Sequence, residues 1–143
     1  MRVLFDTSVL VTAVVDQLPN HEVALSALRA YSTGGNTGYC STHALAECYA
    51  TLTALPLPTR IQPDEARLLV EESFVATLTV VPLNTEDYLQ VIRDLSAVGL
   101  GSGAVYDALH LRCAQACSSD RLLTYNLTHF RRLASGGVVV SSP

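Results

Sequence analysis

Short apolar runs alternate with amphipathic stretches along the whole chain. The segment "RVLF" predicts a buried strand near the start, and "YCS", "LTVVPL", "RLLTYN" and "GVVVSS" predict four more. In "NHEVALSALRAYS" and "THALAECYATLTAL", apolar residues recur every three or four positions, which predicts helices. The run "SVLVTAVV" fits a helix or a strand by its period, and Ser8 could cap a helix there.

Four further segments carry helix signals. Pro63 and two acids open "QPDEARLLVEESFVA", and Asn84 or Thr85 could cap "NTEDYLQVIRDLSAVGL". The segment "AVYDALHLRCAQAC" is apolar on nearly every face and should be buried, and "LTHFRRLA" predicts a short last helix. Strands and helices thus alternate, which predicts a single α/β domain over residues 1–143, with a mainly parallel central sheet between two layers of helices.

Composition agrees with a compact cytoplasmic protein. The chain has 143 residues, of which 49% are hydrophobic and 15% charged, as expected for one globular domain. The first apolar run is interrupted by Asp6 and does not resemble a signal peptide, and no apolar stretch is long enough to span a membrane. The four cysteines form no CxxC pair, so we expect buried free thiols rather than a zinc site.

The charge balance limits how the chain could bind nucleic acid. The net charge is −4, and all nine basic residues are arginines. Phosphate neutralisation dominates non-specific nucleic-acid binding, so such a role would need a local arginine patch, a metal ion or a basic partner. Arg121, Arg131 and Arg132 form the densest basic cluster and are candidates for contacting a nucleic-acid backbone; a solvated helix end is the alternative.

Three carboxylates stand alone within apolar segments. Glu47 is the only Asp, Glu, Lys or Arg in residues 30–59, and Asp107 is the only one in residues 95–111. Asp6 follows the first predicted strand directly, at its carboxyl end, where parallel sheets form their sites. A solvated helix face normally carries several charges, so this isolation suggests a function.

Each acid also has a simpler interpretation. Asp6 could cap the next helix and Glu47 could be solvated, whereas Asp107 lies early in a buried helix, where an unpaired carboxylate is costly. In one shared pocket, two carboxylates about 4 Å apart would repel by about 4 kcal/mol at an effective dielectric of ~20. Such a pocket needs protons or cations, and its oxygen ligands suit Mg²⁺ or Mn²⁺, which can promote phosphodiester hydrolysis.

The segments "VLFDTSVLV", "STHALAECYATL", "GAVYDALHLRCAQ" and "LLTYNLTHFRRL" occur in an order and at spacings that resemble a PIN domain. The resemblance spans nearly the whole chain. The stand-alone length is similar to that of VapC-type toxins of bacterial toxin–antitoxin pairs. The resemblance implies a PIN-like, Rossmann-like fold and a metal-dependent endoribonuclease.

The resemblance also implies roles for particular residues. Asp6, Glu47 and Asp107 match the acidic positions of the family, Asn126 matches a fourth position, and Thr124 matches a hydroxyl residue beside it. Asp6 and Asp107 would hold Mg²⁺ or Mn²⁺, and a metal-activated water would cleave RNA to give a 5′-phosphate and a 3′-hydroxyl. Implied partners are the RNA substrate, a cognate antitoxin whose tail blocks the pocket, and a second copy of the chain in a homodimer.

One position departs from the pattern. The family often has an acid where His129 stands, so His129 could weaken a second metal site or contact RNA phosphate; it could equally be a surface residue. His110 could bond Asp107, three residues earlier, or be a packed core histidine. Tyr106 and Tyr125 could stack on bases or pack in the core.

Two other classes remain as alternatives. An Asp after the first strand also begins phosphoaspartate proteins, but these normally need a lysine, and the chain has none. The second alternative is a degenerate PIN-like domain that binds RNA or protein without catalysis. Neither the RNA target nor the choice between Mg²⁺ and Mn²⁺ follows from the sequence.

Overall fold

Five parallel strands form the central sheet in the order β3-β2-β1-β4-β5. The computed structural model describes all residues 1–143. The strands are β1 (Arg2–Phe5), β2 (Thr37–Ser41), β3 (Thr79–Val81), β4 (Arg121–Leu123) and β5 (Val139–Ser141). The predicted α/β class with a parallel sheet is therefore confirmed, and the first strand of the chain lies at the centre of the sheet.

Helices follow the strands as the sequence predicts. They are α1 (Thr7–Val14), α2 (His21–Tyr31), α3 (Thr42–Ala54), α4 (Pro63–Leu68), α5 (Thr85–Ala97), α6 (Ala104–Ala116) and α7 (Leu127–Phe130). One difference concerns α4, which continues without a break as a π-helical segment, Leu69–Val75, instead of a single regular helix. This segment buries Phe74 completely against the core.

The ambiguous run after β1 is a helix, and its cap is Asp6 rather than Ser8. Asp6 has extended backbone angles (φ −74°, ψ 155°), and its side chain accepts a hydrogen bond from the Ser8 backbone N–H at 3.4 Å. Helix α1 therefore begins at Thr7, two residues earlier than a cap at Ser8 would place it. The simple interpretation of Asp6 as a cap is correct, but capping occupies only part of its hydrogen-bonding capacity.

The alternating side chains of β1 connect two cores. Val3 and Phe5 are fully buried in a cluster with residues of α1, α2 and α3, whereas Leu4 is buried in a second cluster with Leu111 of α6 and Phe130 of α7. Because successive residues of a strand face opposite sides of the sheet, this division places helices on both faces. The three-layer arrangement brings the carboxyl ends of β1, β2 and β4 to one edge.

The structure also describes the state of the cysteines and the length of the apolar helices. All four cysteines are free, and Cys40, Cys48 and Cys113 are buried as predicted, whereas Cys117 is only half-buried. Burial raises the pKa of Cys40 and of Cys113 to about 12, so both thiols stay protonated at neutral pH. None of the helices has both the length and the apolar character needed to cross a membrane.

Candidate active site

A pocket of about 260 Å³ opens at the carboxyl edge of the sheet. Its walls come from the turn after β1, from α1, α3 and α6, and from the turn after β4. They consist of Asp6, Thr7, Ser8, Val11, Glu47, Thr51, Asp107 and Asn126. The structure thus brings the three isolated acids and Asn126 together, although they are spread over 120 positions of sequence.

A hydroxyl network holds the carboxylate of Asp6. Its Oδ2 accepts hydrogen bonds from Ser8 Oγ at 2.7 Å and from Thr124 Oγ1 at 2.8 Å. The hydroxyl oxygen of Ser8 in turn accepts from the backbone N–H of Tyr125 at 3.0 Å, and that of Thr124 accepts from Asn126 N–H at 2.9 Å. Because each backbone amide must donate, each hydroxyl proton is directed towards Asp6. Oδ2 is thereby saturated, and the carboxylate has one orientation.

Asp107 is the least neutralised acid of the pocket. It lies in the first turn of α6, its side chain is 15% exposed, and it accepts no hydrogen bond from the protein. Burial and the charge of Asp6 raise its pKa, against the opposing effects of His129 and His110. His129 Nδ1 lies 3.5 Å from Asp107 Oδ2. A carboxylate in this state favours a proton or a cation beside it.

His110 connects Glu47 to the core instead of bonding Asp107. Its Nε2 lies 2.6 Å from Glu47 Oε1 and 3.5 Å from Asp6 Oδ1, and its Nδ1 lies 3.0 Å from Ser41 Oγ. The ring is almost completely buried, so His110 is both a core residue and a member of the site. Thr7 Oγ1 also donates to Glu47 Oε1, at 3.3 Å. Glu47 is therefore only 29% exposed and is not a simply solvated glutamate.

The pKa shifts of this pair agree in direction. Burial alone would lower the pKa of His110, but its hydrogen bond with Glu47 and the charges of the three acids raise it overall. Burial alone would raise the pKa of Glu47, but the hydrogen bond and charge of His110, with smaller effects of His43 and Thr7, lower it overall. Both shifts favour the charged pair, in which a carboxylate faces an imidazolium.

Several site residues were missed at the level of sequence. Thr7 and Ser8 follow Asp6 directly, and the adjacent hydroxyls in "FDTS" were the available signal. His43 precedes Glu47 by one helical turn, and its Nε2 lies 3.2 Å from Glu47 Oε1 without being aligned for a hydrogen bond. Tyr106 is exposed rather than packed in the core.

The three predicted RNA-contacting arginines do not form one patch. Arg121 begins β4, at the end of the strand away from the pocket, and borders a cleft with α2 and the last residues. Arg131 borders a groove beside β5, and Arg132 borders a different groove between α5 and α6. The three arginines thus border three different grooves, and none of them lines the acidic pocket.

The donor set fits a hard divalent cation held by few protein ligands. The polar side chains of the pocket offer carboxylate, amide and hydroxyl oxygens, without a thiol or an imidazole in its walls. No three His, Cys, Asp or Glu side chains form a ready-made metal cluster. Mg²⁺ commonly uses one or two carboxylates and retains several waters. Asp6 and Asp107, with the nearby amide of Asn126, match that requirement.

Comparison with known proteins gives a consistent family. The sequence model of the PIN domain matches residues 3–136. Ribonuclease VapC27 of Mycobacterium tuberculosis (strain ATCC 25618 / H37Rv) is 36% identical over 104 residues, which cover 73% of this chain and 70% of that protein. Ribonuclease VapC40 of the same species (strain CDC 1551 / Oshkosh) is 32% identical over 123 residues, covering 85% and 84%.

Solved structures share the fold at low sequence identity. The Mycobacterium tuberculosis toxin VapC20, described as cleaving the sarcin-ricin loop, aligns with a TM-score of 0.73 at 14% identity, over 99% of both chains. The Rickettsia felis VapBC2 complex bound to promoter DNA aligns with a TM-score of 0.70 at 19% identity, over 100% of this chain and 99% of that one. The family model matches most of the chain, two relatives are more than 30% identical, and the fold is shared. This chain therefore belongs to the PIN-domain family, and its relatives include VapC ribonucleases.

Proposed function

We propose that this protein is a metal-dependent endoribonuclease and the toxin of a VapBC-type toxin–antitoxin pair. The observation that carries the proposal is the convergence of Asp6, Glu47, Asp107 and Asn126 from four separate parts of the fold on one pocket. The relatives VapC27 and VapC40, both named ribonucleases, support the same activity. Hydrolysis of an RNA phosphodiester bond is the reaction that an acidic pocket with a divalent ion suits best.

Asp6 and Asp107 are the proposed ligands of Mg²⁺ or Mn²⁺, with Asn126 beside them. A bound ion would supply Lewis acidity and the positive charge that an anionic phosphodiester needs next to three acids. The network of Ser8 and Thr124 keeps the Asp6 carboxylate in one orientation, so little reorganisation accompanies binding. The raised pKa of Asp107 shows that its ionised form is unfavourable in the metal-free pocket, and a bound cation would stabilise that form.

Glu47 is proposed to position the attacking water. Its Oε1 is occupied by His110 and Thr7, whereas its Oε2 makes no hydrogen bond within the protein. Its lowered pKa keeps the carboxylate ionised at neutral pH, so Oε2 can accept a hydrogen bond from water. His110 fixes the rotamer of Glu47 by bonding to Ser41 at its other nitrogen.

The partners follow from the same proposal. A cognate antitoxin is supported by the structural relatives, which include VapBC complexes such as that of Rickettsia felis. A homodimer is also proposed, because Leu89 and Ile92 of α5 are exposed apolar side chains that a second copy could cover. No arginine lines the pocket, so we propose that the cation, rather than arginine side chains, holds the RNA phosphate there.

The decisive experiment uses purified, antitoxin-free protein and total cellular RNA. We expect discrete fragments with Mg²⁺ or Mn²⁺, none with EDTA, and none from an Asp107→Asn variant of unchanged circular dichroism. Absence of cleavage by the folded wild type in every metal would refute the nuclease.

A degenerate, binding-only PIN-like domain is the second candidate. His129 favours it, since a cationic or neutral ring stands 3.5 Å from Asp107 where the family often has an acid. Calorimetric titration with Mn²⁺ separates the two candidates. Metal binding that depends on Asp6 and Asp107 supports the nuclease, and RNA binding without any metal binding supports the second candidate.

A further inference from the structure

Two aromatic rings are stacked close to two of the acids, since His43 Nε2 lies 3.2 Å from Glu47 Oε1 and Tyr106 directly precedes Asp107. The rings of His43 and Tyr106 have centroids 5.0 Å apart and planes inclined by only 10°. Tyr106 is nevertheless 49% exposed, and its hydroxyl makes no hydrogen bond within the protein. One face of the tyrosine ring is thus covered by imidazole, and the residue leaves a large aromatic surface in solvent. No packing or hydrogen bonding within the chain explains that surface.

The ring pair is attached to the acidic elements on both sides. Tyr106 directly precedes Asp107 on α6, and His43 precedes Glu47 by one turn of α3. The His43 ring also lies 5.7 Å from the buried ring of His110. Because His43 lies against Glu47 and His110, it gives the Tyr106 ring a fixed surface on which to stack.

The charge of the protein makes stacking a suitable way to hold RNA here. The chain carries a net charge of −4, and its arginines do not gather at the pocket. Unpaired RNA bases stack on aromatic side chains with little dependence on sequence, and each stack contributes independently of phosphate charge. A base in a duplex is already stacked on its neighbours, so an exposed ring selects for unpaired nucleotides.

We propose that Tyr106, supported by His43, is a stacking platform for an unpaired RNA base next to the scissile phosphate. The proposal rests on the proposed function and extends it, because it names a residue of this chain that would bind the substrate beside the cleaved bond. In this role Tyr106 is a binding residue and has no part in bond cleavage.

The first test measures binding without cleavage. An Asp107→Asn protein, inactive under the proposed function, is titrated into a fluorescein-labelled single-stranded RNA of mixed sequence, and anisotropy is followed. Adding Tyr106→Leu is expected to weaken binding about five- to a hundredfold, and adding Tyr106→Phe instead restores most of the loss. Tyr49→Leu is the matched control, since Tyr49 is 43% exposed on α3 but lines a separate groove. Equal affinity of the Tyr106→Leu and Tyr49→Leu proteins would overturn the proposal.

The second test uses cleavage by otherwise wild-type protein. Tyr106→Leu is expected to raise KM about five- to a hundredfold and to change kcat by less than about threefold. An abasic nucleotide next to the cleaved bond should reduce kcat/KM of the wild type similarly and have no further effect in Tyr106→Leu. Full sensitivity of Tyr106→Leu to the abasic nucleotide would contradict the platform.

The two proposals fail separately. Equal kcat and KM of the wild type and Tyr106→Leu would leave the proposed nuclease intact and remove the platform. RNA binding that depends on Tyr106, with no cleavage in any metal, would support the platform and remove the nuclease.

Discussion

Replacing His110 with Leu tests whether the buried histidine holds the site together. Leucine is similar in size to histidine but apolar, so the substitution fills the space of the ring and removes each of its polar contacts. Glu47 Oε1 loses a partner at 2.6 Å, Ser41 Oγ loses one at 3.0 Å, and Asp6 Oδ1 loses a neighbouring charge at 3.5 Å. We expect a less stable protein in which Glu47 has no fixed rotamer.

The size of the effect follows from these contacts. A hydrogen bond to a charged group contributes about 1.5–3 kcal/mol, and removing one partner of a buried pair costs about 3–5 kcal/mol. Glu47 is 29% exposed, so water recovers part of this loss, and we expect a decrease of about 2–4 kcal/mol. Unfolding entropy is about 2.1 cal/mol/K per residue, or about 300 cal/mol/K for 143 residues, so Tm should fall by about 7–13 °C.

The pH dependence has a defined sign. The folded-state pKa of His110 is raised. Its contribution to the free energy of unfolding is therefore fully present below the pKa of an unfolded-state histidine, about 6.5, and is lost as pH rises through the folded-state pKa. Because the folded-state pKa of Glu47 is lowered, its stabilisation is present above about 4.3 and is lost as pH falls through the folded-state pKa. The Tm difference between wild type and variant should therefore be largest between about pH 4.5 and 6.5 and smaller at pH 9.

Differential scanning calorimetry in EDTA across this pH range is the appropriate assay. His129→Gln is the control, because the His129 side chain is 58% exposed and its loss should change stability by less than about 0.5 kcal/mol. A Tm decrease below about 3 °C for His110→Leu at pH 6, or a difference that does not vary with pH, would refute this reasoning.

Three further substitutions test the acidic pocket. Asp107→Asn should raise the free energy of unfolding of the metal-free protein by on the order of 1 kcal/mol, and Mg²⁺ should no longer raise its Tm. Thermal scans with and without Mg²⁺ measure both effects, and a variant that matches the wild type in both would contradict this prediction. Thr124→Val should lower the free energy of unfolding by about 1–3 kcal/mol in urea titrations, because the fully buried hydroxyl donates to Asp6 and accepts from the backbone N–H of Asn126. A decrease below about 0.5 kcal/mol would contradict the hydroxyl network. His129→Asp should tighten Mn²⁺ binding in calorimetric titrations by adding a carboxylate near Asp107, and an unchanged affinity would mean that position 129 lies outside the metal site.

The fold and the acids were predictable because each leaves a local signal. Alternation of apolar runs with helical stripes is enough to predict a parallel sheet with helices on both faces. Asp6, Glu47 and Asp107 were recognisable because each is an isolated charge within an apolar segment. The resemblance to the family then added Thr124 and Asn126, which carry no charge signal of their own.

The rest of the site depends on contacts between distant parts of the chain. Ser8 and His43 are ordinary residues in sequence, and only the fold shows that Ser8 receives Tyr125 N–H and that His43 lies under Tyr106. Proximity in sequence was misleading for Arg131 and Arg132, which point into different grooves. The π-helical extension of α4 was not predicted either, because its seven residues are too few for the hydrophobic pattern to distinguish it from a regular helix.

The central position of β1 has a consequence for synthesis on the ribosome. Asp6 is synthesised 118 residues before Thr124, which orients it, and β1 pairs with β4 only after Arg121–Leu123 exist. At about 5–20 residues per second, this interval is about 6–24 s. A nascent chain that stops before β4 has an incomplete sheet and an unanchored Asp6. The pocket can therefore form only after β4 and the turn that follows it have been made, long after the synthesis of Asp6 itself.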